Sequence, residues 1–390
     1  MQSRLTLSAL LIAASLMLAC NNDDTPKAAD DTTPPKDTPK PADKPGQAAS
    51  TDDAGAREAS KRFGLSEGYS VSVAFDGGLN NPSDISFSPA GTPTIADSGN
   101  GRVLLVEDGK LVEAITGFDT EFWKGNPDAF KVGPLSAVWV DEETLAVTDG
   151  GKKDGQETVN LYYMKDGKFG DGNAYSDDAS KIFSNPVSTD HNAGWTNEGN
   201  LCGMCADDLG ANIYVCGQGS DDKTLVLHMD VASFEMKPLL SADEHDIAIN
   251  SPMETLITSE GNLLVLYSGA GGVADGLMVL WDLETLKPIA QYDLGKHGIN
   301  DPMSMALVQG TDATYAVVDN NWALDKVQPG TLSLVTLKAD SMVEVETIAT
   351  KLEGPVACAF DQGGDLWITQ LGSMFDQNKG NVIVVSGISE

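Results

Sequence analysis

Residues 81–118 read NPSDISFSPAGTPTIADSGNGRVLLVEDGKLVEAITGF, and this stretch decides the fold. Four short strand-like runs are separated by turn signals. SPAG divides the first from the second, and SGNG divides the second from the third. EDGK supplies the Asp-Gly pair of a tight hairpin between the third and the fourth.

The same grammar recurs along the chain. Further copies open near Pro134, Asn200, Pro252, Pro302 and Pro355, most of them about fifty residues apart. Each copy has a first strand (A), a turn bearing Gly or Asp, a short apolar strand (B), a variable loop and a third strand (C). A fourth strand (D) follows in all but the last copy. Residues 69–76, YSVSVAFD, read as a strand lying ahead of the first copy. Placed outermost in the last unit, that strand closes a ring and leaves no open sheet edge. The sequence therefore predicts an all-β fold, a six-bladed β-propeller closed by an N-terminal strand at about 69–76.

The ADSGNGRV segment at 96–103 resembles the NHL repeat, whose second strand ends in Ala-Asp-Ser/Thr-Gly-Asn and leads to Arg-Val. The later copies keep only the Asp, at Asp149 and Asp319. The architecture from about 69 to 390 is similar to the wider six-bladed group that includes gluconolactonase-like and amidating-lyase-like propellers. That resemblance implies a site in the central channel. Gluconolactonase-like members hold one cation there with Glu, Asn and Asp. Amidating-lyase-like members use histidines at the starts of their A strands. Here those starts are Ser83, Leu135, Leu201, Met253, Met303 and Val356, which departs from the lyase pattern.

The chain carries 58 acidic against 25 basic residues, a net charge of −33. Nucleic-acid binding rests on Lys and Arg neutralising phosphates, so that class is excluded. Hydrophobic residues make up 41%, enough for a large core, but aromatics only 6%. The core must therefore come mainly from Val, Leu, Ile, Ala and Met.

At the N-terminus, Arg4 precedes an apolar run from Leu5 to Leu18, too short to span a bilayer comfortably. The run ends in Met17-Leu18-Ala19-Cys20, which resembles the bacterial lipobox. The resemblance implies that Cys20 is lipidated and becomes the mature N-terminus, and Asn21 points to the outer membrane. Residues 21–66, rich in Pro, Asp, Lys and Thr, read as a disordered tether, with a short helix at 54–62. The expected organisation is a signal peptide over 1–20, a tether over 21–66 and a propeller over 67–390. The expected location is the bacterial cell envelope, with the protein a monomer anchored by lipid.

Sorting the connections by repeat position puts every long loop on one face, formed by the D–A and B–C connections. Long loops on a rigid scaffold carry function. His191, His245 and His297 fall in three successive D–A loops, and Trp123, Trp195 and Trp322 belong to the same face. Repeat alignment places Asp84, Ser136, Cys202, Glu254, Ser304 and Ala357 at one channel position. Asp84 and Glu254, with Asp97, Asp149 and Asp319 at B-strand ends, form a candidate Ca²⁺ set. The three histidines form a rival Zn²⁺ set. In an exported protein, Cys202 and Cys216 read as a cross-strand disulfide, with Cys202–Cys205 as the alternative.

Three functions fit this reading. The first is a binding module that captures a small molecule or an envelope protein on the acidic loop face. The second is a metal-dependent hydrolase or lyase with its site at the channel mouth. The third is an envelope scaffold. The anchor makes a direct prediction: Cys20→Ser moves the protein from the membrane to the soluble fraction on cell fractionation. A variant that stays membrane-bound and unprocessed refutes lipidation.

Overall fold

The computed structural model describes residues 52–122, 131–152, 157–164, 168–169, 181–183, 200–218, 224–241, 245, 247, 251–269, 274–321, 329–372 and 379–389. Six four-stranded antiparallel sheets are present, each formed as one repeat predicts. Blade one contains Pro82–Phe87, Pro93–Asp97, Arg102–Glu107 and Lys110–Thr116 as strands A to D. Blade two follows with Ala137–Trp139, Thr144–Thr148, Val159–Tyr163 and Lys181–Phe183. Blade three has Met204–Ala206, Asn212–Gln218, Thr224–Asp230 and Glu235–Ser241. Blade four has Pro252–Ile257, Leu263–Tyr267, Leu277–Asp282 and Lys287–Asp293. Blade five has Pro302–Leu307, Thr314–Asp319, Gly330–Leu337 and Val343–Leu352.

Blade six confirms the closure. Its strands A to C are Pro355–Phe360, Leu366–Gln370 and Gly380–Ser386, and strand D is Ser70–Leu79 from the start of the domain. The pairing runs from Ser70 opposite Ser386 to Leu79 opposite Gly380.

Residue pattern explains strand position. The B strands Thr144–Thr148 and Leu263–Tyr267 are buried at every residue, because a blade's inner strands have a neighbouring blade on each face. Such strands read as continuous apolar runs. The outermost strand Lys287–Asp293 alternates from Lys287 to Gln291 between exposed and half-buried residues, because one face meets water, and buries Tyr292 near its end.

Neighbouring blades are stitched together by polar side chains of their inner strands. Ser86 Oγ donates to the Ala137 carbonyl at 2.6 Å, Trp139 Nε1 to Thr94 Oγ1 at 2.8 Å, and Thr255 Oγ1 to the Tyr214 carbonyl at 3.1 Å.

The N-terminal segment departs from the expected tether. A helix spans Asp52–Phe63, longer than the short one predicted, and Phe63 is fully buried against blades five and six. Arg62 makes a bidentate pair with Glu353, with Nε and Nη2 each 2.9 Å from a carboxylate oxygen. The folded unit therefore begins before residue 67. Cys20 and most of the tether lie outside the described residues.

The B-strand aspartates explain how D–A corners are held. Asp97 is fully buried and accepts from the Asn80 backbone N–H at 2.7 Å, Asn100 Nδ2 at 2.8 Å and Arg102 Nε at 2.7 Å. Asp319 likewise accepts from the backbone N–H groups of Asn300 at 2.9 Å and Asp301 at 3.0 Å. In blade six, Gln370 Oε1 takes the same part toward the Glu353 N–H, at 2.6 Å. Charge-assisted bonds of this kind are worth about 1.5–3 kcal/mol each. Asp97→Ala should therefore lower stability by about 2–3 kcal/mol in urea unfolding; an unchanged midpoint would show that the corner holds without it.

Candidate functional site

The A strands of blades one, four, five and six enter the channel through a kink. The pairing shifts by one residue between Pro82 and Asp84, Pro252 and Glu254, Pro302 and Ser304, and Pro355 and Ala357. The extra residues are Ser83, Met253, Met303 and Val356. A bulge inserts an unpaired residue and re-aims its side chain, and all four line the channel mouth. Left-handed backbone precedes the openings, at Asn81, Asn200, Ser251 and Gly354, with φ of 51°, 55°, 57° and 69°.

This geometry corrects the repeat alignment in blade three. Asn200 matches Asn81, so the blade opens at Leu201. Cys202 Sγ points to the Pro252 carbonyl at 3.2 Å, just as Ser83 Oγ donates to the Pro134 carbonyl at 3.0 Å. Gly203 then takes the place assigned to Cys202. The Cys216 N–H donates to the Gly203 carbonyl at 2.9 Å, as the Thr148 N–H donates to Ser136 at 3.0 Å. Two rings result. The outer ring is Ser83, Leu135, Cys202, Met253, Met303 and Val356. The inner ring is Asp84, Ser136, Gly203, Glu254, Ser304 and Ala357.

Gly203 is required where it sits. A Cβ there would lie 2.6 Å from Glu254 Oε1 and 2.2 Å from the Met253 carbonyl oxygen. The missing side chain makes room for the Glu254 carboxyl.

Asp84 and Glu254 both line the cavity, Asp84 buried and Glu254 half-buried, and their bonds differ. Asp84 Oδ1 accepts from the Ile85 N–H at 2.8 Å, and Oδ2 from Ser136 Oγ at 2.7 Å and the Ala137 N–H at 2.8 Å. Burial pushes its pKa up, and these three donors oppose the rise. Glu254 has the Thr255 N–H on Oε1 at 3.1 Å and only Ser304 Oγ on Oε2 at 3.2 Å. Burial, and next the charge of Asp84, hold its carboxyl well above the usual carboxylate range. A hydroxyl can accept as well as donate, so Ser304 can receive the Glu254 proton. Glu254 is thus held more strongly toward its protonated form than Asp84. Environments that push two carboxyls apart in this way assign base and acid roles.

Asn320, next to Asp319 at the end of strand B in blade five, also lines this cavity. Its Nδ2 donates to the Pro355 carbonyl at 3.0 Å, and its buried Oδ1 has no hydrogen-bond partner. Sequence reasoning missed Asn320. The cavity measures about 110 Å³, and Val132, Leu135 and Leu371 give it an apolar wall beside the polar groups.

The other predicted site residues go elsewhere. Asp97 and Asp319 are spent on D–A corners, and Asp149 pairs with Lys152 at 2.9 Å. Among the described residues, no group of three His, Cys, Asp or Glu side chains converges as a metal site. Ca²⁺ takes six to eight oxygen ligands, and of the five predicted carboxylates Asp84 and Glu254 line the cavity while Asp97, Asp149 and Asp319 do not, so the predicted calcium set is not brought together.

The ring of His245 packs edge-on against Trp281 with centroids 5.1 Å apart, and His297 closes a short 3₁₀ turn at Gly295–His297. His191, Trp123, Trp195 and Trp322 lie outside the described residues. The expected Cys202–Cys216 disulfide is not formed, nor is Cys202–Cys205: all three thiols are free. The bulge sets Gly203, not Cys202, opposite Cys216. Burial raises the Cys216 thiol well above its ordinary range, and the neighbouring Cys202 thiol adds to the rise.

No protein-family model matches this chain, and no curated protein matches it by sequence. Solved structures do match in fold. A putative oxidoreductase (glucose dehydrogenase) of Thermus thermophilus aligns with a TM-score of 0.54 and 14% identity, covering 82% of this chain and 100% of that one. The PQQ-bound aldose sugar dehydrogenase of Streptomyces coelicolor gives 0.51 and 11%, covering 83% and 99%. A gluconolactonase of Xanthomonas campestris gives 0.51 and 11%, covering 84% and 92%. The class is thus a six-bladed β-propeller with gluconolactonase-like and sugar-dehydrogenase propellers among its structural neighbours. At these identities the likeness is one of fold.

The raised carboxyl of Glu254 gives a pH prediction. A group that binds its proton more tightly when folded contributes stability at low pH and loses it as pH rises through the folded pKa. Wild-type stability should decline as pH climbs from about 4, the unfolded carboxylate value. Glu254→Gln keeps the shape without the charge, so its melting temperature should fall less steeply between pH 5 and 9. Asp84→Asn places an NH₂ where donors already point and should destabilise at every pH. Parallel wild-type and Glu254→Gln curves would refute the assignment.

Proposed function

We propose that this protein is a membrane-anchored, extracytoplasmic propeller that captures a small molecule at the channel mouth. The observation carrying this reading is the cavity on the loop-bearing face, where Asp84, Glu254 and the unpartnered Asn320 Oδ1 meet an apolar wall. An enclosed apolar pocket with a few convergent polar groups is the usual form of a ligand site. The anchor is the lipidated Cys20 of the outer-membrane reading, with the tether holding the domain away from the bilayer.

A second reading is favoured by the carboxyl pair itself. Glu254, held toward its acid form, and Asp84, whose three donors favour its carboxylate, supply a candidate acid and base at one site. That is the equipment of a hydrolase or lyase. In this reading Glu254 protonates a leaving group and Asp84 orients or deprotonates the attacking partner, with no step assigned to a metal.

Equilibrium dialysis against a bacterial metabolite extract, read by mass spectrometry, tests capture. Wild type should enrich at least one compound that Val356→Trp, with an indole filling the mouth, does not. Equal retention by both proteins refutes a ligand site in the channel. Conversion of the enriched compound by wild type but not by Glu254→Gln selects the catalytic reading.

A further inference from the structure

The corrected register gives the outer ring a chemistry that the sequence alignment hid. Blades three, four and five place Cys202, Met253 and Met303 at the same ring position, so three adjacent blades each put a sulfur-bearing residue on the lining of the cavity. Asn320 Oδ1, buried and without a partner, lines the same space. We infer that the channel mouth binds a soft monovalent metal ion of the Cu(I) type, held by the Cys202 thiolate and the Met253 and Met303 thioethers. The inference rests on the channel mouth being the ligand site and names the chemical class of that ligand.

The donor set carries the choice of ion. Thiolate and thioether ligands select Cu(I), whereas Ca²⁺ and Mg²⁺ require oxygen. The carboxyl oxygens nearby are already engaged by Ser136, Ser304 and three backbone N–H groups. Charge agrees with this choice. Burying an isolated charge is costly, but Cu⁺ joined to one thiolate is neutral overall. Binding forms the Cu–S bond, and the Cys202 proton leaves to water. No electron moves. Before binding, Cys202 Sγ is directed at the Pro252 carbonyl, 3.2 Å away, which fixes the thiol on the cavity wall.

Methionine is a common filler of irregular cores, and Met204, Met229 and Met278 fill that role here, each nearly or fully buried. Met253 and Met303 differ from them in being bulge residues that border the cavity.

The test uses the full-length chain in detergent, reduced and oxygen-free, with Cu(I) maintained by ascorbate and challenged with bicinchoninate. Wild type should retain one equivalent, and copper-edge X-ray absorption should show a sulfur shell. The double variant Met253→Leu/Met303→Leu preserves side-chain volume, and circular dichroism with thermal melting checks that it folds. Changes outside the direct ligands alone cost metal sites roughly 10–100-fold, so losing two ligands should weaken affinity by at least that range. Cys202→Ser should weaken it as well.

Failure of wild type to hold Cu(I) against the chelator overturns the inference. So does a shell of nitrogen and oxygen alone, or a double variant with wild-type affinity, which would assign the copper to other thiols such as Cys205 or Cys216. If dialysis still finds an organic ligand blocked by Val356→Trp, the sulfur site falls while the channel-mouth reading stands.

Discussion

The pairing of Ser70–Leu79 with Gly380–Ser386 is the constraint on which everything else depends. It joins the two ends of the domain, so it is among the most non-local contacts in the fold, and loop closure must precede its reward. The structure reinforces that seam from outside. The Arg62 guanidinium grips Glu353, whose carboxylate also accepts from Asn381 Nδ2 at 3.1 Å. Asn381 in turn accepts from Gln370 at 2.8 Å, and it faces Asp76 across the closing strand. The helix before the propeller is therefore part of the closure.

Once the ring is closed, equivalent residues become neighbours around one axis. Repeat position alone would spread polar groups evenly. The actual inner ring is uneven, with carboxyls on blades one and four, serines on two and five, and small residues on three and six. Each carboxyl takes a bond from the serine of the next blade. Glu254 has fewer donors than Asp84, and desolvation and the nearby Asp84 charge raise its carboxyl further than the better-donated Asp84.

The fold was legible because propeller grammar is local. Opening prolines mark five of the six units, Asp-Gly hairpins the first two, and short apolar B strands all of them, and the unpaired YSVSVAFD strand announces the closure. The site was legible only in part. Asp84 and Glu254 followed from repeat position. Asp97 and Asp319 looked like ligands because an acid at a strand end near a channel suits a cation, but backbone N–H groups of the D–A corners claim them. Cys202 was misplaced by one residue, because a bulge adds a residue without any change in hydrophobic pattern. The left-handed Asn200 was the available signal, matching Asn81 one residue before the true opening.

By itself the sequence determined the number of blades, the strand that closes them and the face that bears the long loops. Each of these follows from periodicity and turn chemistry, which act over a few residues. Only the tertiary structure decided which carboxyl is held further toward its acid form, that Asn320 presents an unpaired oxygen, and that Cys202, Met253 and Met303 line one cavity. Those facts depend on burial and on bulge register. Both are set when residues from six blades, far apart along the chain, are forced around a common channel.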